Sequence, residues 1–406
     1  MSRALRLLWI GESTSALGSS VASVALPLVA LGTLHASAFE VSLLTAAAWL
    51  PWLAIGLLAG VWVDRLRRRR IMLAADLVSL SLFALVPVCA WTDLLSVPLL
   101  LVIALAGGVA RVFFETAYRA YLPTVIPEGE RDAANARLQG TESAAQVAGP
   151  GVAGLLTQTA GAVTGVLVDA LSFLVSFACL WRVREAEPQP AARERHLARE
   201  VREGMAFVWH DSYLRVFASY GALSNLLLVG YQSILVTFLV RTVDLDAGTV
   251  GVLLAAGQAG GIVGATFARP VSTRMGTGRF TVASKVALGL GALLIPLTSK
   301  GSGQAFLVAG IAVVAGSVIA GNVVSTGFGQ RYYPPALFGR ISSSMQVINL
   351  GAIPLGAVVG GTLATTIGLQ SAMWVMTGLL VPAAGILLLG PLRSARDLPS
   401  ARLVSA

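Results

Sequence analysis

Five carboxylates, Glu12, Asp76, Glu115, Glu142 and Asp169, stand inside long apolar stretches of this chain, and the guanidinium of Arg111 stands among them. A charge surrounded by hydrocarbon is costly, so such groups are functional candidates by default. Arg111 and Glu115, spaced i and i+4, share one helix face. Burial favours the neutral form of a carboxylate and a neighbouring guanidinium favours the charged one. A pocket holding Glu12, Glu115 and Arg111 would set these effects against each other, the condition for an acid that takes up and releases protons in use. A purely structural ion pair is the competing reading of the same residues. Asp76, close to an arginine cluster, reads as a conformational contact, and Asp169 as a helix-to-helix contact.

Long helices must position these groups. The chain has 406 residues, 56% of them hydrophobic, with 29 basic and 20 acidic side chains. A water-soluble chain of this length would carry about 100 charged residues at the usual ~25%, which excludes an ordinary soluble enzyme. The charges also cluster, leaving apolar windows of about 20 residues, the length that crosses a bilayer as a helix. Twelve spans are expected, at 7–31, 41–63, 71–91, 97–121, 138–159 and 161–181, then at 216–240, 249–271, 280–298, 305–328, 345–367 and 372–392. The fold class is therefore all-α and polytopic. The first span follows Arg3 and Arg6 like a signal peptide, but Glu12 and several serines interrupt it, and it is read as retained. At 1.5 Å per residue, Glu12 and Glu115 sit roughly 9 Å from the cytoplasmic ends of spans 1 and 4, with Arg111 about one turn deeper.

With twelve spans the loops alternate sides, and 25 of the 29 basic residues fall on the side that holds both termini. The positive-inside rule makes that side cytoplasmic and the lipid bilayer of the cell membrane the partner. The net charge of +9 is explained by these loops, so no nucleic acid is implied. Neither Lys285 nor Lys300 completes a G-x-x-x-x-G-K-[ST] loop, so no ATP is implied. Cys89 and Cys179 read as small core residues, and His35, His196 and His210 lack metal-ligand spacing, so no metal or other cofactor is expected. The longest polar segment divides the chain into a bundle at 1–181, a cytoplasmic linker at 182–211 and a bundle at 212–406. Within the linker Leu197, Val201, Met205 and Val208 recur at helical spacing, which predicts an amphipathic surface helix.

The loop after span 2 reads Gly60-Val-Trp-Val-Asp64-Arg65-Leu-Arg67-Arg68-Arg69-Arg70. It resembles the G-x-x-x-D-R-x-G-R-R signature of the major facilitator superfamily, with Arg67 where the second glycine usually falls. The resemblance implies two pseudo-symmetric six-helix bundles and a cytoplasmic latch in which Asp64, with Arg65, Arg68 and Arg69, meets a neighbouring helix. Asp76 is a candidate partner, and Gly60 is expected to allow close helix approach. The halves also resemble each other at an offset near 205 residues: the arginines after Asp64 face Arg269 to Arg279, and 148–156 faces 352–364. Span 5 holds Ala145-x-x-x-Gly149-Pro150-x-x-Ala153-Gly154, similar to the G-x-x-x-G-P-x-x-G-G motif of proton-coupled exporters, so Gly149, Pro150 and Gly154 are candidates for a hinge or seal. The stretches 113–127 and 132–138 resemble the branch that holds siderophore exporters and macrolide efflux proteins. One departure stands out: the antiporter signature of span 4 has a glycine four residues after its arginine, where this chain has Glu115.

Asn225 and Gln232 in span 7 and Asn322 in span 10 could orient a substrate, or could each serve as an interhelical hydrogen bond. The resemblance implies a secondary active transporter, a proton-coupled exporter of an amphipathic small molecule working by alternating access. An importer or uncoupled facilitator stays open, as does a non-transporting receptor or membrane subunit.

Overall fold

The computed structural model describes residues 3–126, 128–183, 197–334 and 337–400. Linker residues 184–196, His196 among them, lie outside the described residues, as do the side chains of Leu197 and Val201. Six long helices come first: α1 Arg3–Gly32, α2 Ala38–Arg65, α3 Arg68–Trp91, α4 Val97–Val125, α5 Arg131–Ala160 and α6 Ala162–Arg182. Then come α7 Leu197–His210, α8 Ser212–Arg241, α9 Ala247–Gln258, α10 Gly260–Met275, α11 Thr277–Ala292, α12 Gln304–Tyr332, α13 Phe338–Thr366, α14 Leu369–Gly378 and α15 Leu380–Ala384. Among the described residues there is no strand.

Eleven described segments are long and apolar enough to cross a membrane. The expected fifth span is helical over 30 residues, yet its first half, Arg131 to Gln146, is polar. Such a helix can sit at membrane depth only where protein or water, not lipid, faces that half. The expected continuous spans 8, 9 and 12 are interrupted. Span 8 is α9 and α10, span 9 ends in a 3-10 turn at Ile295–Leu297 that contains Pro296, and span 12 breaks at Leu379 into α14 and α15.

The chain divides into two compact units. One holds α1–α6 together with Leu239–Ala255, and the other holds α7, α8 up to Phe238, and everything from Ala256 onward. In the first, α1 packs on α5 and α6, α2 on α4, and α3 on α4 and α6. Ser37 and Glu40 form a reciprocal capping box that fixes the start of α2. Asp246 starts α9 in a related way, accepting from the hydroxyl and the backbone N–H of Thr249, bonds that hold its carboxyl below the usual range. In the second unit α12 packs on α10 and α11, and α7 on α13. The amphipathic helix expected in the linker is α7. Val208 is fully buried, Arg340 of α13 pairs with Glu203, and Gly204 lies against the backbone of Arg340.

The internal repeat is clearest in turns whose residue types differ. His35 after α1 and Asp244 after α8 both have φ near +55°, and each is followed by the same backbone bond, Ala36 N–H to Ala30 and Leu245 N–H to Leu239. Asp93 and Gly301 form a second positive-φ pair, and Gly161 and Gly368 a third, the last with φ of 85° and 86°. The members of each pair stand roughly 208 positions apart.

Candidate functional site

Glu12 lies in a cleft of the first unit walled by α1, α3, α4 and α6, with Met72, Phe114, Tyr118, Ser176 and Cys179 around it. Close packing of α1 on α6 builds this wall: a Cβ on Gly11 would come within 3.3 Å of Ser176 Cα and Cys179 Cβ. Phe114 and Tyr118, one turn apart on α4, stack with centroids 6.1 Å apart. The Tyr118 hydroxyl is buried and has no hydrogen-bond partner. A buried hydroxyl left unpaired costs about 1–3 kcal/mol. The cleft therefore combines a carboxyl group with unused hydrogen-bonding capacity and an aromatic wall, and at about 10 Å³ it has room for a group the size of one water.

Arg111 donates from Nε to Glu115 Oε1 at 2.8 Å, and Arg119 reaches Glu115 Oε2 at 3.4 Å. The Arg111 guanidinium also lies over the Trp49 ring, 5.8 Å from its centroid. Among the described residues no ion pair joins Glu12 to Arg111. The direct contact in the expected group of Glu12, Glu115 and Arg111 is the i, i+4 pair of Arg111 with Glu115 along its own helix, and Glu12 lies in the cleft with Tyr118.

Asp76 is buried and accepts from Ser176 Oγ at 2.9 Å, a bond between α3 and α6. Its expected place is beside the arginine cluster as a latch partner; in this structure its carboxylate points into the bundle toward Ser176. Arg69 instead donates to the carbonyls of Leu180 and Trp181, at 3.1 and 2.7 Å. Those are last-turn carbonyls of α6, where a cation is favoured. Asp64 is half-buried at the end of α2, Arg68 is half-buried and Arg65 is exposed. A Cβ on Gly60 would meet nothing within 4 Å, so no close helix approach occurs at Gly60 here. Asp169 is buried against Gly18 and receives long bonds from Ser19 and Ser172, both 3.4 Å, in keeping with a helix-to-helix contact.

On α5 the two glycines meet different neighbours. Gly149 lies against Ser20 of α1, with a Cβ 2.9 Å from the Ser20 carbonyl carbon. Gly154 lies against α9, where a Cβ would sit 2.6 Å from Ala247 O and 2.8 Å from Gly251 Cα. Gly251 in turn packs on the carbonyl of Pro150. Glu142 is exposed on the polar half of α5 and accepts from Gln139 at 3.4 Å.

In the second unit Asn225 donates to Asn349 Oδ1 at 3.1 Å, and Asn349 donates to Met345 O at 2.7 Å. Asn225 thus joins α8 to α13. Gln232 and Asn322 are exposed on α8 and α12. Sequence reasoning passed over Tyr118, Ser176 and Asn349. The only signal for Tyr118 was its position one turn after Phe114 on the face that follows Arg111.

The sequence matches the Major Facilitator Superfamily over residues 8–354. The chain belongs to that superfamily. It is 28% identical over 382 residues to the multidrug efflux pump Tap of Mycolicibacterium fortuitum, covering 90% of each chain. It is 23% identical to macrolide efflux protein A of Streptococcus pyogenes, covering 89% of this chain and 90% of that protein. Among solved structures it is similar to the nucleoside transporter NupG, with a TM-score of 0.76 at 12% identity, covering 97% and 100% of the two chains. It is also similar to a bacterial homologue of the iron transporter ferroportin, with a TM-score of 0.77 at 14% identity over 97% and 100%. The superfamily fold and a multi-pass membrane transporter of small molecules follow.

Proposed function

We propose that this transporter exports an amphipathic small molecule from the cytoplasm by alternating access, in exchange for protons. The Glu12 cleft carries the reading: a carboxyl group lies beside an unpaired hydroxyl and stacked rings at membrane depth, so the site can take up a proton and offer hydrogen bonds to a small polar group that reaches it. The names of the two relatives support export, and the arginine-rich loops support cytoplasmic termini in the cell membrane, with one six-helix half on either side of the linker. The test is purified protein in liposomes with an imposed pH gradient and rhodamine 110 as a fluorescent amphiphile. Accumulation that collapses with the gradient is expected. Dye movement that follows only its own gradient would favour an uncoupled facilitator, a second reading that the commitment of Arg111 to Glu115 supports.

Asp64 and the arginines after it act in this proposal as a latch on the cytoplasmic side. Asp64→Asn should reduce transport at least about fivefold at unchanged membrane expression, because it weakens one state rather than the bundle. Gly60→Ala separates two ideas. The new methyl group has open space in a helix interior, so thermal stability should be unchanged or rise by up to about 1 kcal/mol. Loss of transport by a fully stable Gly60→Ala protein would place the close approach in another state of the cycle, and full activity would remove Gly60 from the latch.

A further inference from the structure

Lys285 stands about 12 Å along α11, near the middle of the membrane-crossing segment Thr277–Leu297. It is one of two lysines in a chain with 27 arginines, and the arginines mostly populate the loops. Its ammonium lies 5.7 Å from the centroid of the Tyr220 ring on α8. Across from it α12 presents Gly321, where a Cβ would fall 2.5 Å from Nζ and 3.1 Å from Cε. The absent side chain at Gly321 is what leaves room for the ammonium. Of the nearby hydroxyls, Ser284 donates to Thr281 O at 2.9 Å and Ser224 donates to Tyr220 Oη at 3.3 Å, and neither accepts from Lys285 Nζ.

Among the described residues Lys285 Nζ makes no hydrogen bond and no ion pair. The sequence explains why. After Asp211 the chain contains only Asp244, Asp246 and Asp397 as carboxylates, and none of them lies in a membrane-crossing segment. Asp246 is committed to Thr249, and Asp397 to the N–H and hydroxyl of Thr277. An ammonium at this depth is costly unless an anion meets it, and the ring face of Tyr220 offsets only part of that cost. Lysine also brings three donors on a compact head, suited to an acceptor that arrives and leaves.

We propose that Lys285, seated between Tyr220 and Gly321, is the anchor for a carboxylate on the molecule this protein carries. The inference deepens the transport reading by giving the cargo a chemical class: an amphiphile with an aromatic or apolar body and an acidic group. Equilibrium binding to detergent-purified protein measures the inference, whereas accumulation in liposomes measures export, so either can fail without the other.

Rhodamine 110 and its methyl ester, rhodamine 123, differ only in the free carboxylate, and fluorescence anisotropy gives the dissociation constant of each. The parent should bind rhodamine 110 more tightly than the ester. Lys285→Gln should weaken rhodamine 110 by about tenfold or more, the size of one charge-assisted hydrogen bond, and change the ester less than twofold. Lys285→Arg should retain part of the preference. Gly321→Ala keeps the charge but fills its seat, and should lower the preference for the acid in a protein that still unfolds at the parent's temperature. A parent that binds both dyes equally or binds neither, equal losses for acid and ester in Lys285→Gln, or displacement of rhodamine 110 by acetate at matched ionic strength would each overturn the proposal.

Discussion

Gly154→Leu is expected to lower transport by more than tenfold while the protein still inserts and purifies. At Gly154 the backbone of α5 meets the backbone of α9, so even a Cβ would sit 2.6 Å from Ala247 O and 2.8 Å from Gly251 Cα. Neither neighbour can rotate away as a side chain can. Overpacking costs about 1–3 kcal/mol, and a cost of that size borne by one conformational state shifts its population by about 5- to 150-fold. Every cycle that must pass through this contact pays it. The control lies on the same helix: Gly140 has nothing within 4 Å, so Gly140→Ala should leave transport intact and stabilise α5 slightly. A cysteine placed at Gly248, in a chain with Cys89 and Cys179 replaced by alanine, should react faster with a membrane-impermeant maleimide when Gly154 is leucine. Unchanged labelling with full transport by Gly154→Leu would remove this contact from the cycle.

The same contact shows which parts of the molecule were legible in the sequence. Span positions were, because apolar length and arginine placement act locally. The pair Arg111–Glu115 was legible for the same reason, since four residues on one helix fix the neighbourhood. The span 5 motif announced small residues, but not that Gly149 faces α1 while Gly154 faces α9. The neighbours of Glu12 come from α3, α4 and α6, and no spacing along α1 announces them. Asp76 followed the arginines in sequence, yet helical periodicity turned it inward to Ser176 while Arg69 turned to the end of α6. The repeat was faint in residue identity because the left-handed turn conformation admits His35 against Asp244 and Asp93 against Gly301. Backbone geometry kept a likeness that side chains had lost. The breaks in spans 8, 9 and 12 were hidden because an interrupted helix keeps the same apolar composition as a continuous one.

Glu12→Gln is expected to abolish accumulation driven by a pH gradient, by more than tenfold, while downhill exchange of the same cargo persists. Glutamine keeps the shape and the hydrogen-bonding length of the side chain but can neither gain nor lose the proton. The packing around it stays intact, so the rest of the cycle still runs. Glu115→Gln should do less to coupling, because Glu115 lies between Arg111 and Arg119 on its own helix rather than in the cleft. Arg111→Ala should reduce both modes, since it removes the contact with Trp49 as well as the ion pair. Tyr118→Phe sharpens the test. Its hydroxyl is buried without a partner, so removal should leave stability unchanged or raise it by up to about 1 kcal/mol. A hydroxyl kept for cargo or for the Glu12 proton should nevertheless cost transport several-fold when lost, which gives a stability gain paired with a functional loss. Proteoliposomes with and without the gradient, together with thermal unfolding of each variant, read both quantities. If Glu12→Gln and Tyr118→Phe concentrate cargo as the parent does, the cleft is structural, and Glu142 on the polar half of α5 becomes the acid to test.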